Sequence, residues 1–168
     1  MTRRTPIPSE GPVIRYRDRI FDDKRHDPYQ PTGKYSEPTR CKDCGAVYHN
    51  GRWQWGKAPE GAHVDQCPAC RRIQEKLPAG SLTLEGPFLA AHRGDLMHLI
   101  QNEAEHERSE HPMHRIMRID EPAERIEIST TDIHLPQRMG EALKRAYDGE
   151  LTIQYAHDEY SVRVRWER

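Results

Sequence analysis

The sequence predicts an α+β protein, on three observations. All four cysteines fall into two tight pairs, Cys41-Lys-Asp-Cys44 and Cys67-Pro-Ala-Cys70. From Ser81 onward apolar residues alternate at strand period, then at helix period, in the order β-α-β-β-α-β with one further strand. Six of the 13 prolines lie within residues 1–40, where neither period survives. The chain therefore divides into an extended basic tail over 1–39, a four-cysteine ribbon over 40–80 and a larger α+β domain over 81–168.

The tail is too polar to build a core and reads as disordered alone. Its inner part interleaves cations with rings: Arg15, Tyr16, Arg17, Arg19, Phe21, Lys24, Arg25 and Tyr29. Arginine forks grip phosphates and rings stack on unpaired bases, so this pattern suits RNA. The same composition also describes a solvated linker.

In the ribbon, 22 residues separate the two cysteine pairs. Zn²⁺ takes four soft ligands in a tetrahedron, and each C-x2-C turn supplies two of them from one side. Cys41, Cys44, Cys67 and Cys70 are thus expected to hold one Zn²⁺ as a closed, structural site. Four thiolates leave no open position for an activated water. A thioredoxin-like pair would need a βαβ setting, which neither pair has. Between the pairs, Asn50-Gly51 marks a two-residue hairpin. Trp53 and Trp55 share one strand face, either packing over the metal or offering a platform to a base. Arg52 on the hairpin, with Arg71 and Arg72 after the second pair, would extend a basic surface toward phosphate.

In the third part, Leu82-Thr83-Leu84 opens a strand. A helix over about 92–110 carries Leu96, Leu99, Ile100 and Ala104 on one stripe, and Pro112 stops it. Glu103, Glu105, Glu107 and Glu110 near its end make an acidic face that repels phosphate. Met113, Met117 and Ile119 are spaced for a strand over 113–119, and Ile126 and Ile128 for a second one. A helix beginning between Asp132 and Pro136 carries Leu135, Met139, Ala142, Leu143 and Ala146, and ends at Asp148-Gly149. Leu151, Ile153 and Tyr155, then Tyr160, Val162, Val164 and Trp166, complete two strands. This order is that of a split βαβ, ferredoxin-like domain with both helices on one face. Its other face, with Arg125, Glu127, Thr152, Gln154, Arg163 and Arg165, is either a binding platform or a solvated surface of Arg–Glu pairs.

The whole chain of 168 residues has a net charge of -1 and a mean hydropathy of -1.00. That balance excludes a uniformly basic nucleic-acid binder, but it hides a gradient. Residues 1–40 carry nine Lys/Arg against six acids and 41–80 six against four, whereas 81–125 carry five against nine. An anionic partner is expected at the N-terminal half. No apolar run approaches about 18 residues and Met1 to Glu10 lack the apolar stretch of a secretion signal, so a cytoplasmic protein is expected.

The cysteine pairs, the segment Leu77-Pro-Ala-Gly-Ser-Leu-Thr-Leu-Glu-Gly86, and the blocks Thr130–Leu135 and Gly140–Tyr147 resemble a group of small bacterial zinc proteins. That group is similar in turn to the archaeal and eukaryotic large-ribosomal-subunit adaptor, the nonsense-mediated-decay-protein-three family. The resemblance covers roughly 40–168. It implies a ribosome-facing role near the intersubunit face or the tRNA sites, with large-subunit rRNA as partner. This chain has a single set of cysteine pairs and no long C-terminal export tail, unlike the large adaptor.

The resulting expectation is a zinc-binding, ribosome-associated factor that contacts rRNA and silences, protects or stabilises ribosomes under stress. It has no membrane or small-molecule partner. The alternative is a zinc-ribbon protein-interaction adaptor without RNA contact. No catalytic motif is recognised: the histidines follow no His-Glu-x-x-His pattern, and Ser81 and Ser129 have no evident base, so no enzyme is expected.

Overall fold

A computed structural model describes residues 13–15, 27–29, 33–156 and 159–168. They form a mixed α+β architecture with two sheets and three helices. The smaller sheet holds β2 (Thr39–Cys41), β3 (Val47–His49), β4 (Arg52–Gln54) and β5 (His63–Asp65) in the order β4-β3-β2-β5, followed by the short helix α1 (Pro68–Glu75). The larger sheet takes β1 (Val13–Arg15), β6 (Gly80–Glu85), β7 (Ile116–Asp120), β8 (Ile126–Thr130), β9 (Glu150–Tyr155) and β10 (Val162–Glu167). Its helices are α2 (Pro87–Glu110) and α3 (His134–Tyr147).

The β3–β4 hairpin forms where Asn50-Gly51 predicts it. Asn50 and Gly51 have φ of 52° and 75°, the left-handed pair that a two-residue hairpin turn requires. The Glu37 carboxylate accepts from both of their backbone N–H groups at 2.9 Å. The smaller unit therefore begins before residue 40. Tyr35 also belongs to it, meeting the rings of Tyr48 and Trp53 at 5.0 and 5.1 Å. Parts of the expected tail are thus built into the two sheets: β1 pairs antiparallel with β9, and Thr39 opens β2.

In the larger unit, Leu82, Leu84, Ile126, Ile128, Ile153 and Val164 alternate inward along four strands. Leu96 and Ile100 of α2 and Met139 and Leu143 of α3 close over them. The sheet order is β1-β9-β10-β6-β8-β7. A plain split βαβ sheet would set β9 directly beside β6. Here β10 lies between them, parallel to β6 from Val162↔Gly80 to Glu167↔Glu85. On this strand the Trp166 ring is fully buried, and its indole N–H donates to the Asp148 carbonyl at 2.7 Å.

Two boundaries and one burial depart from the sequence expectations. Helix α2 starts at Pro87, and the expected start at His92 is instead a kink with φ -123° and ψ 16°. The strand expected over 113–119 begins only at Ile116, with a register shift between Ile116 and Arg118, and Ile119 faces solvent. Thr131 is the reason. It bonds Met113 and Arg115 through its hydroxyl and backbone, and so turns Met113 toward the cysteines. Finally, Glu107 is no part of an exposed acidic face but is 1% exposed.

Gly140 marks the tightest helix-to-sheet approach. A Cβ there would meet Leu151 Cδ1 at 2.7 Å and Val164 Cγ1 at 2.9 Å. In an open helix Gly→Ala stabilises by about 1 kcal/mol, but overpacking costs about 1–3 kcal/mol. Gly140→Ala is expected to lower stability in urea by about 1 kcal/mol, the balance of those two effects. A more stable variant would show the helix free to move.

Candidate functional site

The two cysteine pairs converge from different local structures. Cys41 ends β2, where its N–H donates to the Ala46 carbonyl at 2.7 Å, and its carbonyl accepts from Gly45 at 3.1 Å. Gly45, at φ 78°, completes the turn around Cys44. Cys67 is the N-cap of α1, Pro68 opens the helix, and the Cys67 sulfur accepts from the Cys70 N–H at 3.4 Å. Cys41, Cys67 and Cys70 are buried and Cys44 is half-buried.

All four sulfurs lie within 4.8 Å of one another, with Cys44 Sγ and Cys67 Sγ 3.8 Å apart, and no disulfide joins them. A tetrahedral ion held by thiolates at about 2.3 Å separates its sulfurs by about 3.8 Å. The donor set and spacing therefore fit one metal ion. The hydrogen bond with Cys67 pulls the Cys44 thiol well below its ordinary range, while burial pushes Cys70 up.

Around the sulfurs, Trp53, Trp55 and Met113 pack as an apolar rim. Both tryptophans thus take the packing role. The Trp55 indole N–H also donates to the Arg108 carbonyl at 2.6 Å, joining the smaller unit to α2. Arg115, from just before β7, directs its guanidinium at the cluster. Nη1 lies 3.4 Å from Cys70 Sγ, and Nη2 lies 3.3 and 3.4 Å from Cys44 and Cys67. The thiolates raise its pKa although burial opposes its charge. Sequence reading missed this residue: it stands 45 positions from the nearest cysteine in the chain, Cys70, and no motif links them.

The expected RNA-contact residues separate. Arg52 is exposed and Arg71 half-buried. Arg72 is a correction: it is 3% exposed, ion-paired to Asp27 at 2.6 Å, and bonded to the Leu77 carbonyl. Tyr29 lies under that guanidinium at 4.1 Å and its hydroxyl donates to Glu75. Both residues tie the segment around Asp27–Tyr29 to α1, which leaves Arg72 no accessible surface for phosphate. Arg15 ends β1. Tyr16, Arg17, Arg19, Phe21, Lys24 and Arg25 lie outside the described residues.

A second polar cluster also escaped the sequence. Glu107 accepts from His114 Nδ1 at 3.0 Å and is ion-paired with Arg138, whose Nε stands 3.0 Å away, and His114 Nε2 stands 3.6 Å from Asp132. Asp132 Oδ2 accepts from the His134 and Leu135 N–H groups at the start of α3. Burial raises the Asp132 pKa and lowers that of His134. The only visible signal was an acid-rich helix end, which hides one inward Glu among outward ones.

On the larger sheet, Arg125 pairs with Glu127, and Arg165 with Glu85 and Glu167, so these arginines take the solvated-pair reading. No helix among the described residues is long and apolar enough to cross a membrane. No family model, curated protein or solved structure matches the chain.

Replacing Glu107 by Gln removes a buried charge that faces both Arg138 and His114. This is expected to cost about 2 kcal/mol in urea unfolding. Glu105→Gln, at a side chain 73% exposed, should change stability by less than about 0.5 kcal/mol. Equal effects would show that Glu107 does not hold α2 to the His114 turn.

Proposed function

We propose that this chain is a zinc-stabilised, ribosome-associated factor whose smaller unit contacts rRNA, on a ribbon joined to a ferredoxin-like domain. A closed set of four thiolates suits Zn²⁺, which prefers tetrahedral sulfur coordination and brings no redox chemistry. Such a site supplies folding energy and offers no position for substrate.

The observation that carries the RNA reading is how the cations are paired. In the smaller unit Arg40, Lys42, Arg52, Lys57, Arg71 and Lys76 have no ion pair among the described residues, and most are exposed. In the larger unit Arg93, Arg118, Arg125, Arg138, Lys144 and Arg165 are each held by a carboxylate. Cations that already have partners gain little from a phosphate, whereas free ones release counterions on binding. The N-terminal sequence, with its alternating arginines and rings, adds cations of the same kind. The resemblance to the large-subunit adaptor family points to large-subunit rRNA as the target. It also points to silencing, protection or stabilisation of the particle as the outcome, in the cytoplasm and without turnover.

A second reading has its own support. Val64, Ile73 and Leu77 are 60%, 41% and 52% exposed on the metal-bearing unit, and apolar side chains left in water favour a protein partner.

Two measurements test the proposal. Metal analysis is expected to find one zinc per chain, with Cys41→Ser or Cys67→Ser releasing it and unfolding the smaller sheet, while the larger core persists. Purified protein without zinc or a related ion would refute the metal reading. Sedimentation with 50S or 70S particles over a salt series should show binding that weakens with salt. Arg40→Gln, Lys42→Gln and Arg52→Gln should each flatten the slope by about one unit for every phosphate left without its cation, and Glu105→Gln should not. Salt-independent binding, or none, would favour the protein adaptor.

A further inference from the structure

Resting on the metal reading above, we infer that Arg115 is a working part of the metal centre. It is a positioning residue supplied by the larger unit, without which the four thiolates hold their ion weakly.

Hydrogen bonds around the sulfurs carry this inference. Cys41 Sγ accepts from the Cys67 N–H at 3.3 Å, and Cys67 Sγ accepts from the Cys70 N–H at 3.4 Å. Those donors belong to the cysteine turns themselves. Cys44, which also has the Ala46 backbone N–H, receives a side-chain donor from Arg115; Cys70 receives one from it too, and Cys67 a second. Three of the four sulfurs are thus served by a single side chain from outside the ribbon.

That side chain is held by bonds of its own, independent of any metal. Arg115 Nε donates to the Pro112 carbonyl at 2.6 Å, which fixes the plane of the guanidinium. Its backbone is bracketed by the buried Thr131, whose hydroxyl accepts the Arg115 N–H at 3.0 Å and whose N–H donates to the Arg115 carbonyl at 2.9 Å. With Nε spent on the carbonyl, both terminal nitrogens face sulfur. A lysine has no such fork.

The electrostatics point the same way. A divalent ion with four thiolates carries a formal charge of -2, and burying it is costly unless cations stand nearby. Lys42, Arg71 and Lys76 are close in sequence, but among the described residues it is Arg115 whose side chain bonds sulfur. Conversely, the guanidinium needs the thiolates, because a half-buried cation with no anion is itself unfavourable. Metal binding and the docking of the smaller sheet on the larger unit are therefore linked, each strengthening the other. The Trp55–Arg108 bond and the packing of Met113 belong to the same junction.

The test uses the full chain. Zn²⁺ affinity is measured by competition with a chelator, and Co²⁺ is used to read the sulfur-to-metal charge-transfer band. Removing an outer hydrogen bond to a metal ligand weakens binding about 10–100-fold. Arg115→Ala and Arg115→Gln are expected to raise the dissociation constant by that range. They should also move the Co²⁺ band to lower energy, since sulfur lone pairs are no longer stabilised by N–H donors. Arg115→Lys keeps the buried charge where Ala fails to fold, and should show the same band shift with a smaller drop in affinity. Met113→Ala and Trp55→Phe disturb the junction without touching the sulfur hydrogen bonds, and should leave the band in place. The inference is overturned if the Arg115 variants bind Zn²⁺ within about twofold of wild type, well short of the range expected for an outer hydrogen bond. It is equally overturned if their band does not move, or if the two junction variants match them. Wild-type protein that takes up no metal would instead sink the metal reading, and this inference with it.

Discussion

The smaller unit depends on one constraint: four sulfurs held within 4.8 Å of one another at the end of β2 and the start of α1. Little else is available to hold that unit together. Its strands are three residues each, and its buried apolar set is small: three of the cysteines, Ala46, Val47, Tyr48 and Ala69. Short strands with so few inward residues do not offset the entropy of ordering the loops between them. Bringing the pairs together closes the 22-residue loop and carries the hairpin with it. The rings of Tyr35, Tyr48 and Trp53 then pack as a consequence.

The larger unit obeys the opposite economy. It has a continuous core of aliphatic residues from four central strands and two helices, capped by a fully buried tryptophan. A polar corner within it, where Glu107, His114 and Asp132 meet, brings the end of α2 to the start of α3. Thr131 stands beside that corner and sets the backbone of Arg115. The same short stretch, 111–115 with 130–132, therefore fixes both the helix junction and the approach to the cysteines.

Pairing, more than net charge, distinguishes the two surfaces. Basic side chains occur on both units, but on the larger one most are met by a neighbouring carboxylate. Those on the cysteine-bearing unit project without an ion pair among the described residues. Arg72 is the exception there, spent on Asp27 and stacked on Tyr29. A surface of unpaired cations attracts an anionic polymer through released counterions, and a surface of matched pairs does not. Net charge summed over a segment sees only part of this difference.

Local patterns were legible in the sequence because their causes are local. The C-x2-C turns, the Asn50-Gly51 hairpin, the alternating Ile126–Ile128 and Val162–Trp166 strands, and the α3 stripe each follow from steric or periodic rules within a few residues. Tertiary structure alone decided the rest. Whether Glu107 points inward, whether Met113 continues a strand or leaves it, and which anion Arg115 meets all depend on residues far along the chain. The place of β10 between β9 and β6 has the same origin: both strands carry buried apolar residues at strand period, and the period does not say which of them pairs with β6. Hydrophobic period tells which face of a strand is buried, but not which neighbour it meets, because pairing energy is shared among all strands of a sheet at once.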